Sequence, residues 1–190
     1  MRRVLISLSG LLVIAYPFVV FIGLRSFSMQ VLGFALVVLA LGRILLGQQR
    51  SNDNILPLLL SLVLLLVAAY ALLANNPESF LYYPVAVNAV LLGVFGYSLL
   101  HGPTFVERLA RLTEPQLSTP AVIYTRKVTW VWCVFFVANG CAALYTAQFT
   151  TREIWALYNG LIAYLLMGMI FAVEFLIRCS VKRAENVGAG

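Results

Sequence analysis

Long apolar runs separated by short polar or basic segments recur along this chain. Six of them read as membrane-crossing helices: Val4 to Leu24, Val31 to Leu46, Ile55 to Leu73, Leu81 to Leu100, Val128 to Ala147 and Ile154 to Ile177. A helix rises about 1.5 Å per residue, so roughly 20 residues cross the ~30 Å hydrocarbon core, and each helix satisfies its own backbone there. A transmembrane barrel needs short strands with apolar and polar positions alternating, and Leu58 to Ala69 or Val31 to Leu41 show no alternation. The pattern therefore predicts an all-α polytopic transmembrane helix bundle, one integral membrane domain over residues 1–190. The second run is the shortest, and Arg43 near its end must reach the interface along its own stem.

Composition agrees with that pattern. Hydrophobic residues make up 62% of the 190 and charged residues 11%, against about 25% charged in soluble domains. Charge then gives orientation, because cytoplasmic loops collect Lys and Arg. With the amino terminus inside, one side holds Arg2, Arg3, Arg43, Arg50, Arg108, Arg111, Arg126, Lys127, Arg178, Lys182 and Arg183, and the other only Arg25 and Arg152. Eleven against two supports six spans with both ends in the cytoplasm, in a bacterial inner membrane. The net charge of +6 does not point to nucleic acid, since the cations sit at the ends of apolar runs rather than in one patch. Met1-Arg2-Arg3 precedes an apolar run too long for a secretory signal, with no small-x-small cleavage site; a retained first helix is expected.

One connection is long: the cytoplasmic loop from His101 to Lys127. Within it Thr104-x-x-Glu107 matches a capping box, and Glu114-Pro115 would end the helix it starts. A helical wheel gathers Phe105, Val106, Leu109 and Leu112 on one side and Glu107, Arg108, Arg111 and Glu114 on the other. This cytoplasmic amphipathic helix either lies on the inner leaflet or packs against the bundle's own end.

Polar groups inside a bilayer are where chemistry is sought first. Asn88, Asn139 and Asn159 each fall within a span, as hydrogen-bonded glue between helices or as the lining of a ligand cavity. On the fifth helix Thr129, Trp132, Phe136, Asn139, Gly140 and Ala143 share a face that reads as a packing seam. Glu174 shares a stripe with Asn159 and could hold a proton or cation, but Arg178 stands four residues on, the spacing of a local ion pair. Pro17 and Pro84 lie in or near spans, Pro84 as a first-turn marker. Tyr82, Tyr83, Trp155 and Tyr158 are expected in an outer aromatic belt, with Trp130 and Trp132 in an inner one.

No enzyme signature is present. His101 is the single histidine, and its nearest candidate partners, Glu107, Glu114, Tyr124 and Arg126, have no spacing that specifies a reaction. Cys133, Cys141 and Cys179 form no zinc or redox pattern, and neither a Walker loop nor a GxSxG or HExxH motif occurs. No metal site, cofactor or catalytic residue is assigned.

Tyr83-Pro84-x-x-x-Asn88, then Glu107-Arg108-x-Ala110-Arg111-Leu112, then Pro120-x-x-x-Tyr124-Thr125-Arg126-x-Val128-Thr129-x-x-Trp132 leading to Asn139 resemble an uncharacterised bacterial inner-membrane protein family. Its members are encoded among fatty-acid-synthase-related genes that build aryl polyene or xanthomonadin-like pigment lipids. The resemblance implies a role in making, handling or moving an acyl or polyene lipid, beside an acyl carrier protein or acyltransferase. Three functions follow as expectations. The first is a non-catalytic scaffold or lipid-handling subunit whose Arg108, Arg111, Arg126 and Lys127 face membrane lipid phosphates or an acidic partner. The second is a transporter or flippase component lined by Asn88, Asn139, Asn159 and Glu174, and the third a membrane enzyme acting on an acyl substrate.

Overall fold

In a computed structural model, the described residues are 18, 20–22, 31, 34–38, 40–42 and 55–188, with side chains described only to residue 178. They are overwhelmingly helical, and no strand occurs among them. The first expected span falls mainly outside them, with Pro17, and the second partly; the described positions of both are helical.

Helix α1, Ile55–Leu73, has the bounds expected from its apolar run. A tight turn follows, with Asn75 in the left-handed region at φ 49, which asparagine tolerates better than most residues. The Asn76 side chain then accepts from the Glu78 backbone N–H at 3.0 Å and caps a 3₁₀ turn, Pro77–Tyr82. This turn leads into α2, Tyr83–Leu100, with Pro84 in its first turn as expected. Gly102, at φ 83, makes the corner after α2. A short α3, Phe105–Arg111, and a long α4, Thr119–Phe149, come next. The last helical run comprises α5, Arg152–Leu157, a π segment, Tyr158–Ile162, and α6, Ala163–Gly188.

Three stretches are long and apolar enough to cross a membrane: Glu78–Leu100, Thr119–Phe149 and Arg152–Arg178; Leu59–Leu73 is a shorter apolar helix. Large exposed side chains such as Leu73, Leu100, Val134, Leu165 and Phe175 cover their outer faces. Such a surface is stable only against lipid.

The fifth span departs from expectation. Its helix begins at Thr119 rather than Val128, so the end of the expected loop, through Arg126 and Lys127, is helical. Ser118 caps it by accepting from the Ala121 N–H at 3.4 Å, a proline occupies its first turn, and nothing breaks the helix before Thr150. Polarity at Arg126-Lys127 marks where hydrocarbon ends, and the helix continues past it. At 31 residues α4 is about 46 Å long, whereas crossing ~30 Å at a tilt of ~20° uses about 21 residues. The helix is therefore about ten residues longer than a single crossing requires.

The helices alternate in direction, which brings the end of α2, all of α3, the start of α4 and the region around Glu174 of α6 to one end. Arg126 Nη2 donates to the Leu99 carbonyl at 3.0 Å and the Tyr124 hydroxyl to the Glu174 carbonyl at 3.3 Å. Arg152 and Glu78 meet at 3.7 Å at the other end. Two apolar cores lie between. One joins Leu64, Ala68, Phe80, Leu81 and Trp155 with Val20 and Leu36, and the other joins Phe95, Leu99, Val128, Trp132 and Phe136.

Two of the three tryptophans expected in belts, Trp132 and Trp155, are core residues. Trp155 is fully buried, its indole N–H donating to the Leu81 carbonyl at 3.0 Å. Trp132 packs on Phe171 with ring centroids 4.7 Å apart. Indole is mostly apolar, and one satisfied N–H lets it go inside. Trp130 is exposed, as a belt residue should be.

Candidate functional site

The expected seam of α4 exists. Thr125, Thr129, Trp132, Phe136, Asn139 and Ala143 are buried at helical spacing. Each threonine hydroxyl on it bonds a carbonyl of its own helix, Thr129 to Thr125 at 2.8 Å and Thr146 to Ala143 at 3.0 Å. Gly140 allows α2 to approach: a Cβ added there would lie 3.2 Å from the Asn88 Cβ.

That approach brings two asparagines together. Asn139 Nδ2 donates to Asn88 Oδ1 at 3.1 Å, and Asn88 Nδ2 donates to the Pro84 carbonyl at 2.8 Å. The Tyr158 hydroxyl donates to Asn139 Oδ1 at 3.1 Å, so Tyr158 is a bundle contact rather than a belt residue. Asn159 is engaged separately, donating to Thr146 Oγ1 at 3.2 Å and to the Trp155 carbonyl at 3.0 Å. Among the described residues no buried side-chain nitrogen or oxygen lacks a partner. The asparagines and Tyr158 form a polar string joining α2, α4 and the last helical run.

Glu174 does not join it. Fifteen residues beyond Asn159 on a helical run, it is about 22 Å along the axis. It pairs instead with Arg178 at 2.7 Å, the i,i+4 bridge its spacing suggested.

At the basic end, α3 is placed by three contacts. Thr104 caps it, accepting from the Glu107 N–H at 3.2 Å. The buried Ser98 hydroxyl accepts from the Phe105 N–H at 2.9 Å, and the Phe105 ring lies 4.4 Å from that of Phe95. The amphipathic assignment needs correction at Glu107, which faces inward and is 6% exposed. The helix turns Val106, Glu107 and Ala110 towards the bundle because Ser98 and Phe95 fix its first residue. Arg111 neutralises the carboxylate from one turn on, at 2.7 Å. Leu109 and Leu112 are consequently left outside, 57% and 80% exposed.

The four candidate cations differ in commitment. Arg111 is held by Glu107 and the Pro115 carbonyl, and Arg126 binds the Leu99 carbonyl. Arg108 donates through Nε to the Pro103 carbonyl at 3.0 Å and is exposed, and Lys127 is exposed. His101 is exposed and stacks on Tyr97 at 4.4 Å. Of the partners considered for it, Tyr124 is bonded to Glu174 and Glu107 to Arg111.

The chain is 31% identical over 153 residues to the inner membrane-spanning protein YciB of Thioalkalivibrio sulfidiphilus (strain HL-EbGR7), covering 80% of this chain and 70% of that protein. The chain belongs to the family of that inner membrane-spanning protein. It is a multi-pass α-helical protein of the bacterial inner membrane. That relationship speaks to the membrane and not to pigment lipids. No family model and no solved structure matches the chain.

Residues within the motifs quoted above make the contacts just described. Pro84, Asn88 and Asn139 belong to the polar string, Glu107 and Arg111 form the inward-facing pair, and Tyr124 and Arg126 bond across helices. Sequence reading misses Ser98 and assigns Trp155 to a belt; in each case the bond that decides the position runs to a backbone group, which hydropathy does not mark.

Proposed function

We propose that this protein is a non-catalytic accessory subunit of the inner membrane that handles lipids by their phosphate headgroups at its basic, cytoplasmic end. The observation that supports this reading is the excess length of α4 beyond one crossing; counted from Phe149 with a tilt of ~20°, it would put Thr119 to about Val128, with Arg126 and Lys127, at headgroup depth. Lys127 stands exposed three residues from the exposed Trp130, a cation and an interfacial indole on one helix face. Arg108, Arg111 and Arg126 are exposed as well; Arg111 is drawn to the Glu107 carboxylate, while Arg108 and Arg126 each donate to one backbone carbonyl. The pathway served would be acyl or aryl polyene lipid assembly, a reading that rests on the motif resemblance alone. A transport cavity draws little support from asparagines bonded to one another and to the backbone.

The test is native mass spectrometry of the full chain titrated with phosphatidylglycerol or phosphatidylcholine. Anionic-lipid adducts should dominate, and the Arg108→Gln/Lys127→Gln double variant should weaken them about tenfold or more, since each interfacial cation contributes ~1 kcal/mol. Equal retention of both lipids would refute the reading. So would salt-sensitive capture of an acyl carrier protein by these two residues, with lipid adducts unchanged.

A further inference from the structure

We infer that α3 is seated in the inner leaflet, with Leu109 and Leu112 in the acyl boundary and Arg108 among anionic phosphates. The inference rests on the headgroup-level placement of this end given above, and adds a docked surface and its occupant.

Its first support is the direction in which α3 is turned. The Ser98 hydroxyl and the Phe95 ring fix Phe105 against the bundle, and Glu107 takes the inward position with its charge matched by Arg111. The exposed side of this segment then carries Arg108, Leu109, Arg111 and Leu112, while Phe105, on the same side of the wheel, is drawn back against Phe95 at the first residue of the helix. Two large aliphatic side chains at 57% and 80% exposure are costly in water and favourable in the acyl boundary.

The second support is continuity. Leu100, at the end of α2, is 79% exposed, and Ile123 and Trp130 on α4 are 55% and 58% exposed. These belong to helices that lipid surrounds, and the α3 leucines are carried at the same end of the bundle by direct contacts with α2. The third is charge complementarity. The ionised groups on the exposed side, Arg108 and Arg111, are cations, and the carboxylate of this helix is turned away and paired, which suits an anionic leaflet.

The experiment places a nitroxide at Leu112→Cys in the Cys133→Ala/Cys141→Ala/Cys179→Ala background, in vesicles of phosphatidylethanolamine and phosphatidylglycerol. Preferential relaxation by oxygen over a water-soluble nickel chelate is expected. Preferential relaxation by nickel would overturn the inference, and so would shielding from both, which would mean a second copy or another protein covers the leucines. Should the cysteine-free chain fail to fold, benzoylphenylalanine at position 112 of the otherwise natural chain gives the same decision in membranes. A lipid adduct supports the inference; a protein adduct, or none, overturns it. Repeating the nitroxide measurement in purely zwitterionic vesicles separates the two readings. A label in lipid there, together with no anionic preference in mass spectrometry, would retain the inserted helix and discard phosphate handling.

Discussion

The polar string inside the bundle and the basic end at its edge treat polar groups differently. Asn88, Asn139 and Tyr158 are partnered by side chains of other helices or by the backbone, while Arg111 and Arg178 bond carboxylates of their own helices with their heads 40% and 49% exposed. In hydrocarbon an unpaired amide has nowhere to turn, so partners must be supplied across the bundle. At headgroup depth water and phosphate compete for every cation, so local pairs suffice and some charge is left outward. The interior string accordingly holds helices together, and the edge is where the molecule can meet something else.

Five substitutions sharpen that contrast. Gly140→Leu should have the largest effect, because even a Cβ at this position meets Asn88 at 3.2 Å and a larger side chain must drive α2 from α4. A loss of about 3 kcal/mol is expected in reversible unfolding in mixed micelles, and an unchanged unfolding midpoint would show that the helices are not this close. Asn139→Leu should cost about 1 kcal/mol by the same measurement, since it strips partners from both Asn88 and Tyr158. Adding Asn88→Leu and Tyr158→Phe should then cost less than the sum of the separate changes. Arg178→Gln should cost at most about 0.5 kcal/mol, the worth of an exposed i,i+4 pair; a loss as large as that of Asn139→Leu would erase the distinction between interior and edge.

Much of this was legible from pattern alone. The ends of α1 follow its apolar run, the N-cap half of the box at Thr104 forms while the Glu107 side chain turns to Arg111 instead, and the 3.6-residue spacing of Thr129, Trp132, Phe136 and Asn139 marks a buried face. What hydropathy does not encode is the direction of a side chain whose partner is backbone or lies on another helix. Glu107 was placed on the polar side of its wheel because a wheel treats the helix as alone, whereas Ser98 and Phe95 set its rotation. Trp155 was placed in a belt because the indole N–H invites an interfacial reading, yet one carbonyl, that of Leu81, suffices to bring it inside. The start of α4 was missed because hydrophobicity reports the membrane's edge and not the helix's end.

The glycine of the π segment sets a condition on how the chain is assembled. A Cβ at Gly160 would lie 2.6 Å from the ring of Phe18, so the notch that accepts this ring exists only in the last helical run. Phe18 leaves the ribosome 142 residues before Gly160. The contact between Phe18 and this notch therefore forms only after the last helical run has been made.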